Sequence, residues 1–110
     1  MATVYKVLGQ SAPSATTNTT LYTVPADTSA VVSTLAVVNR AGSAATYRIA
    51  IRPAGATIAN QHYLAFDVTV GANDSTTLTL GITLAATDVV TVYASNADLS
   101  FSAFGSEITP

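Results

Sequence analysis

The sequence predicts an all-β fold: an antiparallel β-sandwich of about eight short strands, with either immunoglobulin-like or jelly-roll topology. Three observations predict it. Short runs rich in Val, Ile, Thr, Tyr and Leu recur about every ten residues with turn-forming residues between them. No window sustains a helical period capped at both ends, and no internal repeat is seen. The 110 residues are enough for one core and too few to divide, so residues 1–110 are expected to form a single domain.

Thr3 to Leu8 sets Tyr5 and Val7 against Val4, Lys6 and Leu8, which suits an edge strand where a lysine discourages unwanted pairing. Residues 9–20, with Gly9, Pro13 and a run of Ser, Ala and Thr, have no period of their own. Two readings stay open for them: a connecting loop that crosses between sheets, or an intersubunit arm. Thr19 to Val24 is the next strand, with Leu21 and Thr23 opposed to Tyr22 and Val24, and Pro25 stops it because proline cannot donate to a ladder.

After the turn Ala26–Ser29 comes the stretch expected to centre the fold. The apolar run Ala30–Val38, the polar corner Asn39–Ser43 and the strand Thr46–Pro53 read as a hairpin. In its second arm Tyr47, Ile49 and Ile51 alternate with Arg48, Ala50 and Arg52, which places both arginines on the face away from the apolar set. Residues 54–60 form a small, polar loop that Ile58 is expected to pin. His62 to Val70 is the next strand, with His62, Leu64, Phe66, Val68 and Val70 on one face and Tyr63, Ala65, Asp67 and Thr69 on the other.

Gly71–Asp74 turns the chain into Ser75–Leu80, where Leu78 and Leu80 point inward, and Gly81 marks a bulge before Ile82–Leu84. Asp88–Ala94 has apolar residues on both faces, as a strand buried in a sheet does. Ser95–Asp98 is a tight turn, Leu99–Phe104 alternates with serines, and Gly105–Pro110 closes the chain.

Only 9% of residues are charged, against roughly 25% in an average soluble domain, and the net charge is −2. So neutral a surface gives little colloidal repulsion, and neighbouring subunits are expected to cover much of it. There is no cysteine, hence no disulfide or thiolate metal site. The start lacks a signal-peptide pattern and no stretch is apolar enough to span a membrane, so synthesis in the cytoplasm and no membrane partner are expected. The sequons at Asn18 and Asn73 are what chance supplies in a Thr-rich chain.

Catalysis has little to draw on. His62 is the only histidine, and no nucleophile motif accompanies it, so it is expected to bond a backbone carbonyl at a strand end and the chain is expected not to be an enzyme. The carboxylates Asp27, Asp67, Asp74, Asp88, Asp98 and Glu107 are scattered, mostly at turns, with no calcium-loop spacing. No cofactor and no metal is expected. Arg40, Arg48 and Arg52, three of the four basic residues, are the candidate intersubunit contacts. Arg48 and Arg52 lie about 13 Å apart at roughly 3.3 Å per residue, too far to clamp one phosphate. Asp67 is the alternative, intrachain partner for them. With so few basic groups, specific nucleic-acid binding is not expected.

The order of segments carries a resemblance: Val7-Leu8-Gly9-Gln10, Leu21-Tyr22-Thr23-Val24-Pro25-Ala26, Val37-Val38-Asn39-Arg40, Tyr47 to Pro53, Asn60-Gln61-His62-Tyr63-Leu64, Leu80 to Leu84 and Val89 to Ser95. Over nearly its whole length the chain resembles small virion structural proteins of tailed bacteriophages, especially marine and cyanobacterial phages. The resemblance implies a head decoration or cement protein, with a tail, baseplate or fibre component as the runner-up, resident in the virion and made in the host cytoplasm. Its implied partners are other virion proteins, major capsid or tail proteins, and further copies of itself in a homo-oligomer such as a trimer. A receptor-binding or glycan-binding module is the alternative from another class; few exposed aromatics are evident to stack on a sugar ring, and Tyr5, Tyr22, Tyr63 and Tyr93 would serve if they cluster.

Overall fold

The structure, a computed structural model, describes residues 2–110. Its strands are β1 (Ala2–Ser11), β2 (Thr19–Thr23), β3 (Ser29–Asn39), β4 (Ala45–Arg52), β5 (Tyr63–Val70), β6 (Ser75–Leu84), β7 (Val89–Ala94) and β8 (Leu99–Thr109), with two short 3₁₀ turns, Pro53–Gly55 and Asn60–His62, between β4 and β5. β1 pairs with β8, β2 with β7, β3 with β6 and β4 with β5, all antiparallel, as in one long hairpin whose tip is β4–β5. The hairpin is rolled so that alternate pairs fall in opposite sheets. β8 then also joins β3, and β7 joins β4, giving the sheets β1-β8-β3-β6 and β2-β7-β4-β5. Of the two expected topologies this is the jelly roll. In an immunoglobulin fold several successive strands share a sheet, whereas here only β4 and β5 do.

The expected central hairpin is therefore corrected. β3 and β4 do not pair; they belong to opposite sheets. The physical reason lies in their apolar faces. Val32, Leu35 and Val37 of β3 face Tyr47 and Ile49 of β4 across the core, with Leu99 and Phe101 of β8 and Val90 and Val92 of β7 filling the layer between the sheets. The Tyr47 and Phe101 rings meet edge to face, centroids 6.4 Å apart.

Two strands run further than the sequence predicts. Gly9 and Gly105 read as breaks, yet both lie inside strands. A Cβ at Gly9 would collide with the Leu21 carbonyl oxygen, and one at Gly105 with that of Val31, so glycine marks close approach of backbones at these positions. β1 is an edge strand as expected. Residues 12–18 carry the chain from β1 in one sheet to β2 in the other, with Pro13 buried and the Thr16 N–H donating to the Ala94 carbonyl at 2.7 Å. In β2 the expected alternation fails: a register shift between Thr20 and Tyr22 lets Leu21 and Tyr22 both be buried. The bulge expected at Gly81 is present, since Val32 opposes Ile82 while Thr34 opposes Thr79, leaving β6 one residue longer than β3 there.

A polar cluster at one end joins the sheets. Tyr22 of β2 donates its hydroxyl to Glu107 of β8, and Lys6 of β1 bonds the other carboxylate oxygen at 3.1 Å. The Tyr22 bond, with Lys6 in support, holds the Glu107 carboxyl below its ordinary pKa against the opposing pull of partial burial. Burial first, and the carboxylate second, push the Tyr22 phenol above its ordinary value. Because the unfolded chain protonates Glu107 first as pH falls, that stabilisation is complete above about pH 4.3 and lost on further acidification. The folded state keeps the Tyr22 proton that the unfolded chain releases, so stability also falls above about pH 10. Denaturant midpoints measured from pH 3 to 11 are expected to show both limbs, and Tyr22→Phe to shrink both, with the buried Tyr47 phenol sustaining part of the alkaline limb and Lys6 part of the acid one.

Candidate functional site

The chemistry-bearing side chains collect on the outer face of the β2-β7-β4-β5 sheet. β4 supplies Arg48 and Arg52 there because Tyr47 and Ile49 are drawn inward, as the alternation predicts. β7 supplies Tyr93 opposite Arg48 and Thr91 opposite Ala50.

β5 departs from its expected facing. Tyr47 opposes Val68 and Ile49 opposes Ala65, so Phe66 and Asp67 together oppose the single residue Arg48. Asp67 has φ +53°, the left-handed region that aspartate tolerates better than most residues. This bulge turns Phe66 outward and aims Asp67 at Arg48. A second shift, at Leu64, leaves that residue without a register partner. Leu64 and Phe66, expected on an apolar face, are each 54% exposed.

The result is a compact stack. The Arg48 guanidinium lies 4.1 Å from the Phe66 ring centre and 4.2 Å from that of Tyr93. Its Nε donates to Asp67 at 2.7 Å, the intrachain pairing foreseen as the alternative to an intersubunit one. Tyr63 meets Phe66 edge to face at 4.9 Å. Asp67 raises the Arg48 pKa above its ordinary value, with desolvation acting the other way. An exposed ion pair contributes about 0–1 kcal/mol and an exposed cation–π contact about 0.5–1 kcal/mol. So small a contribution makes the stack a shaped surface more than a source of stability.

Beside it the loop 53–62 folds back over the sheet. Thr91 and Val89 are buried although they lie on the outer face, because the loop covers them; Gly55 sits against Val89. Arg52 holds the loop: Nη1 donates to the Gly55 and Ala56 carbonyls at 3.2 and 3.1 Å, and Nε to the Thr91 hydroxyl at 3.0 Å. Asp88 closes the loop's start by accepting the Ala54 N–H at 2.9 Å, the turn role expected of it. Between loop and sheet lies a groove of about 290 Å³ lined by Asn18, Thr20, Arg52, Thr57, Ile58 and Thr91.

The three candidate arginines are not brought together. Arg48 and Arg52 share the face, while Arg40 sits at the other end of β4 from Arg52, its Nη2 donating to the Ala97 carbonyl at 3.3 Å. Of the four tyrosines, Tyr63 and Tyr93 flank the Arg48 stack, Tyr22 is buried, and Tyr5 lies on the other sheet. His62 is corrected in detail: it ends a 3₁₀ turn before β5, and its Nδ1 accepts the Ala59 N–H at 3.0 Å where a bond to a carbonyl was expected. Among the described residues no three His, Asp or Glu side chains come together, and no helix is long and apolar enough to cross a membrane.

Thr20, Thr57 and Thr91 went unmarked in the sequence, and Asn18 stood out only as a chance sequon, because each sits in an ordinary Thr-rich context. The one local signal was Asp67, a carboxylate in the middle of an otherwise apolar strand. Comparison with protein-family models and with curated proteins finds no match.

Proposed function

We propose that this chain is a non-enzymatic structural protein of a phage virion, a head decoration or cement protein that assembles with copies of itself and with neighbouring capsid subunits. The observation that carries the reading is the outer face of the β1-β8-β3-β6 sheet. Register places Tyr5 and Val7 of β1, Phe104 and Ile108 of β8 and Val31 of β3 there among serines and threonines, with no charged side chain among the described residues. Tyr5 is 85% exposed, and Val7 and Phe104 are exposed beside it. Four strands about 4.8 Å apart and roughly ten residues long present about 600 Å². Two such faces together clear the roughly 1,000 Å² that a specific interface needs. The edge strand β6 lacks the charges and prolines that normally guard an edge, which also favours a neighbour there. Jelly rolls recur in viral capsid and lectin domains, a fold-level analogy that agrees with the resemblance in sequence.

Light scattering on the purified protein is expected to give a closed oligomer such as a trimer. Replacing Tyr5 and Val7 together by lysine is expected to weaken association at least about tenfold, or about 1.4 kcal/mol, with thermal stability of the subunit unchanged. A wild-type monomer at high concentration would remove self-assembly from the reading. Quantitative mass spectrometry of virions then fixes the place: hundreds of copies for head decoration, a handful for a tail, baseplate or fibre component.

A further inference from the structure

The groove beneath the loop 53–62 presents hydrogen-bond donors around an arginine that no carboxylate neutralises. Among the described residues the ion pairs are Lys6–Glu107 and Arg48–Asp67, and Arg52 is in neither. Its Nε and Nη1 are committed to Thr91 and to the loop carbonyls, which fixes the guanidinium in place and leaves the two N–H groups of Nη2 without a bond to the chain. Thr91 is buried, and because its Oγ1 accepts from Arg52, its own proton is free to donate. Thr20, Thr57 and Asn18 add hydroxyls and an amide to the walls, Ile58 adds an apolar flank, and among the described residues no acidic one lines the space.

We infer that this groove binds a carboxylated saccharide, one hexuronic acid unit of an acidic polysaccharide, with the carboxylate on Arg52 Nη2 and the sugar hydroxyls on the threonines. Three features select that class. A fixed, unneutralised guanidinium favours an anion and gives a charge-assisted bond. Walls of hydroxyl and amide groups match a polyhydroxylated ring better than they match an aliphatic acid. The cavity lies just below the range used by drug-sized ligands, about 300–1,000 Å³, and so accommodates a single sugar unit. Continuation of the polymer is provided for on the same sheet face. Ala50 is opposite both Thr91 and Tyr63, so Tyr63, with the Phe66 ring packed edge to face against it, stands two strands from Thr91 on that face. The site is independent of where the protein sits in a particle, and its binding does not require the virion reading to hold.

The test is an NMR titration of the whole protein with a trimer of galacturonic acid, with a neutral galactose oligomer, acetate and an acidic peptide alongside. The uronate is expected to shift the amides of Thr20, Thr57 and Thr91 and to bind at least about tenfold more tightly than the neutral sugar. Thr20→Asp places a competing carboxylate at the rim from an exposed strand position and leaves the bonds of Arg52 to the loop untouched. It is expected to abolish those shifts while the melting temperature stays within about two degrees. Arg52→Gln should do the same, and Thr20→Asp keeps the test decisive if that variant loses its loop. Equal affinity for uronate and neutral sugar, equal affinity for uronate and acetate, tighter binding of the peptide, or shifts confined to other surfaces would each overturn the inference.

Discussion

Ile49→Asp is expected to abolish folding: no cooperative denaturation transition, and a chain recovered as aggregate or as unfolded protein by circular dichroism. Ile49 is 0% exposed, at the centre of β4, and is flanked by Ala65 on one side and Val92 on the other. Around it the core holds Tyr47, Leu35, Val37 and Phe101, none of which offers a charge to a carboxylate. The variant must either bury an unpaired anion or bury the protonated acid without a partner, and either course costs several kcal/mol. Loss of the isoleucine's own packing adds about 2–5 kcal/mol on the scale of deletions to alanine. A domain has only about 5–15 kcal/mol of net stability, so the two together exhaust it. Ile49→Val is the control. It keeps the site apolar and should cost about 0.5–1.5 kcal/mol, measured as a shift in denaturant midpoint with an unchanged slope. A soluble, cooperatively folded Ile49→Asp protein would mean that β4 does not face the core as described.

That prediction could be framed from the sequence because β4 is a regular strand between two partners. Its period of two survives intact, and with it the facing of Arg48 and Arg52. The same reasoning fails on β5, an edge strand that is free to bulge. Two register shifts there break the parity on which face assignment depends, and so Phe66 came out on the solvent side and formed a stack that alternation could not anticipate. The supposed β3–β4 hairpin failed for another reason. Two apolar strands joined by a five-residue polar corner look the same whether the corner turns back within a sheet or crosses to the opposite one, since each strand shows one apolar face either way. Glycine misled in the same manner: at Gly9 and Gly105 it permits a close backbone approach inside a strand, which a single sequence does not distinguish from a break. The groove at Arg52 depends on a loop folding over the sheet; Ile58 was expected to pin that loop and does line the groove, but its small neighbours gave no sign of where on the sheet it would lie.

Asn39 holds the β3–β4 corner in place, and it carries the other large expected effect. Asn39 is 1% exposed. Its two Nδ2 N–H groups are shared among three carbonyls, Ser43 at 2.8 Å and the adjacent Gly71 at 3.1 Å and Val70 at 3.3 Å, and its Oδ1 accepts the Ala41 N–H at 2.9 Å. One side chain thus ties the β3–β4 corner to the β5–β6 corner, where the Asn73 N–H also donates to the Ala41 carbonyl at 3.0 Å. Asn39→Ala removes these bonds without removing the groups they served. Each buried polar group left unpaired costs about 1–3 kcal/mol, and partial relaxation of the two corners brings the expected total to about 2–4 kcal/mol in chemical denaturation. Asn39→Asp sharpens the point because it keeps the shape and changes only the chemistry. An ionised carboxylate cannot donate, so it would face three carbonyl oxygens with no proton to offer. That raises its folded-state pKa above the unfolded value, which makes the variant more stable at low pH and less stable as pH rises through the ordinary carboxylate range. Asn39→Asp is therefore expected to be less stable than Asn39→Ala at pH 7 and to recover relative to it at pH 4. An Asn39→Asp protein as stable as wild type at pH 7 would show that the side chain does not hold the two corners together.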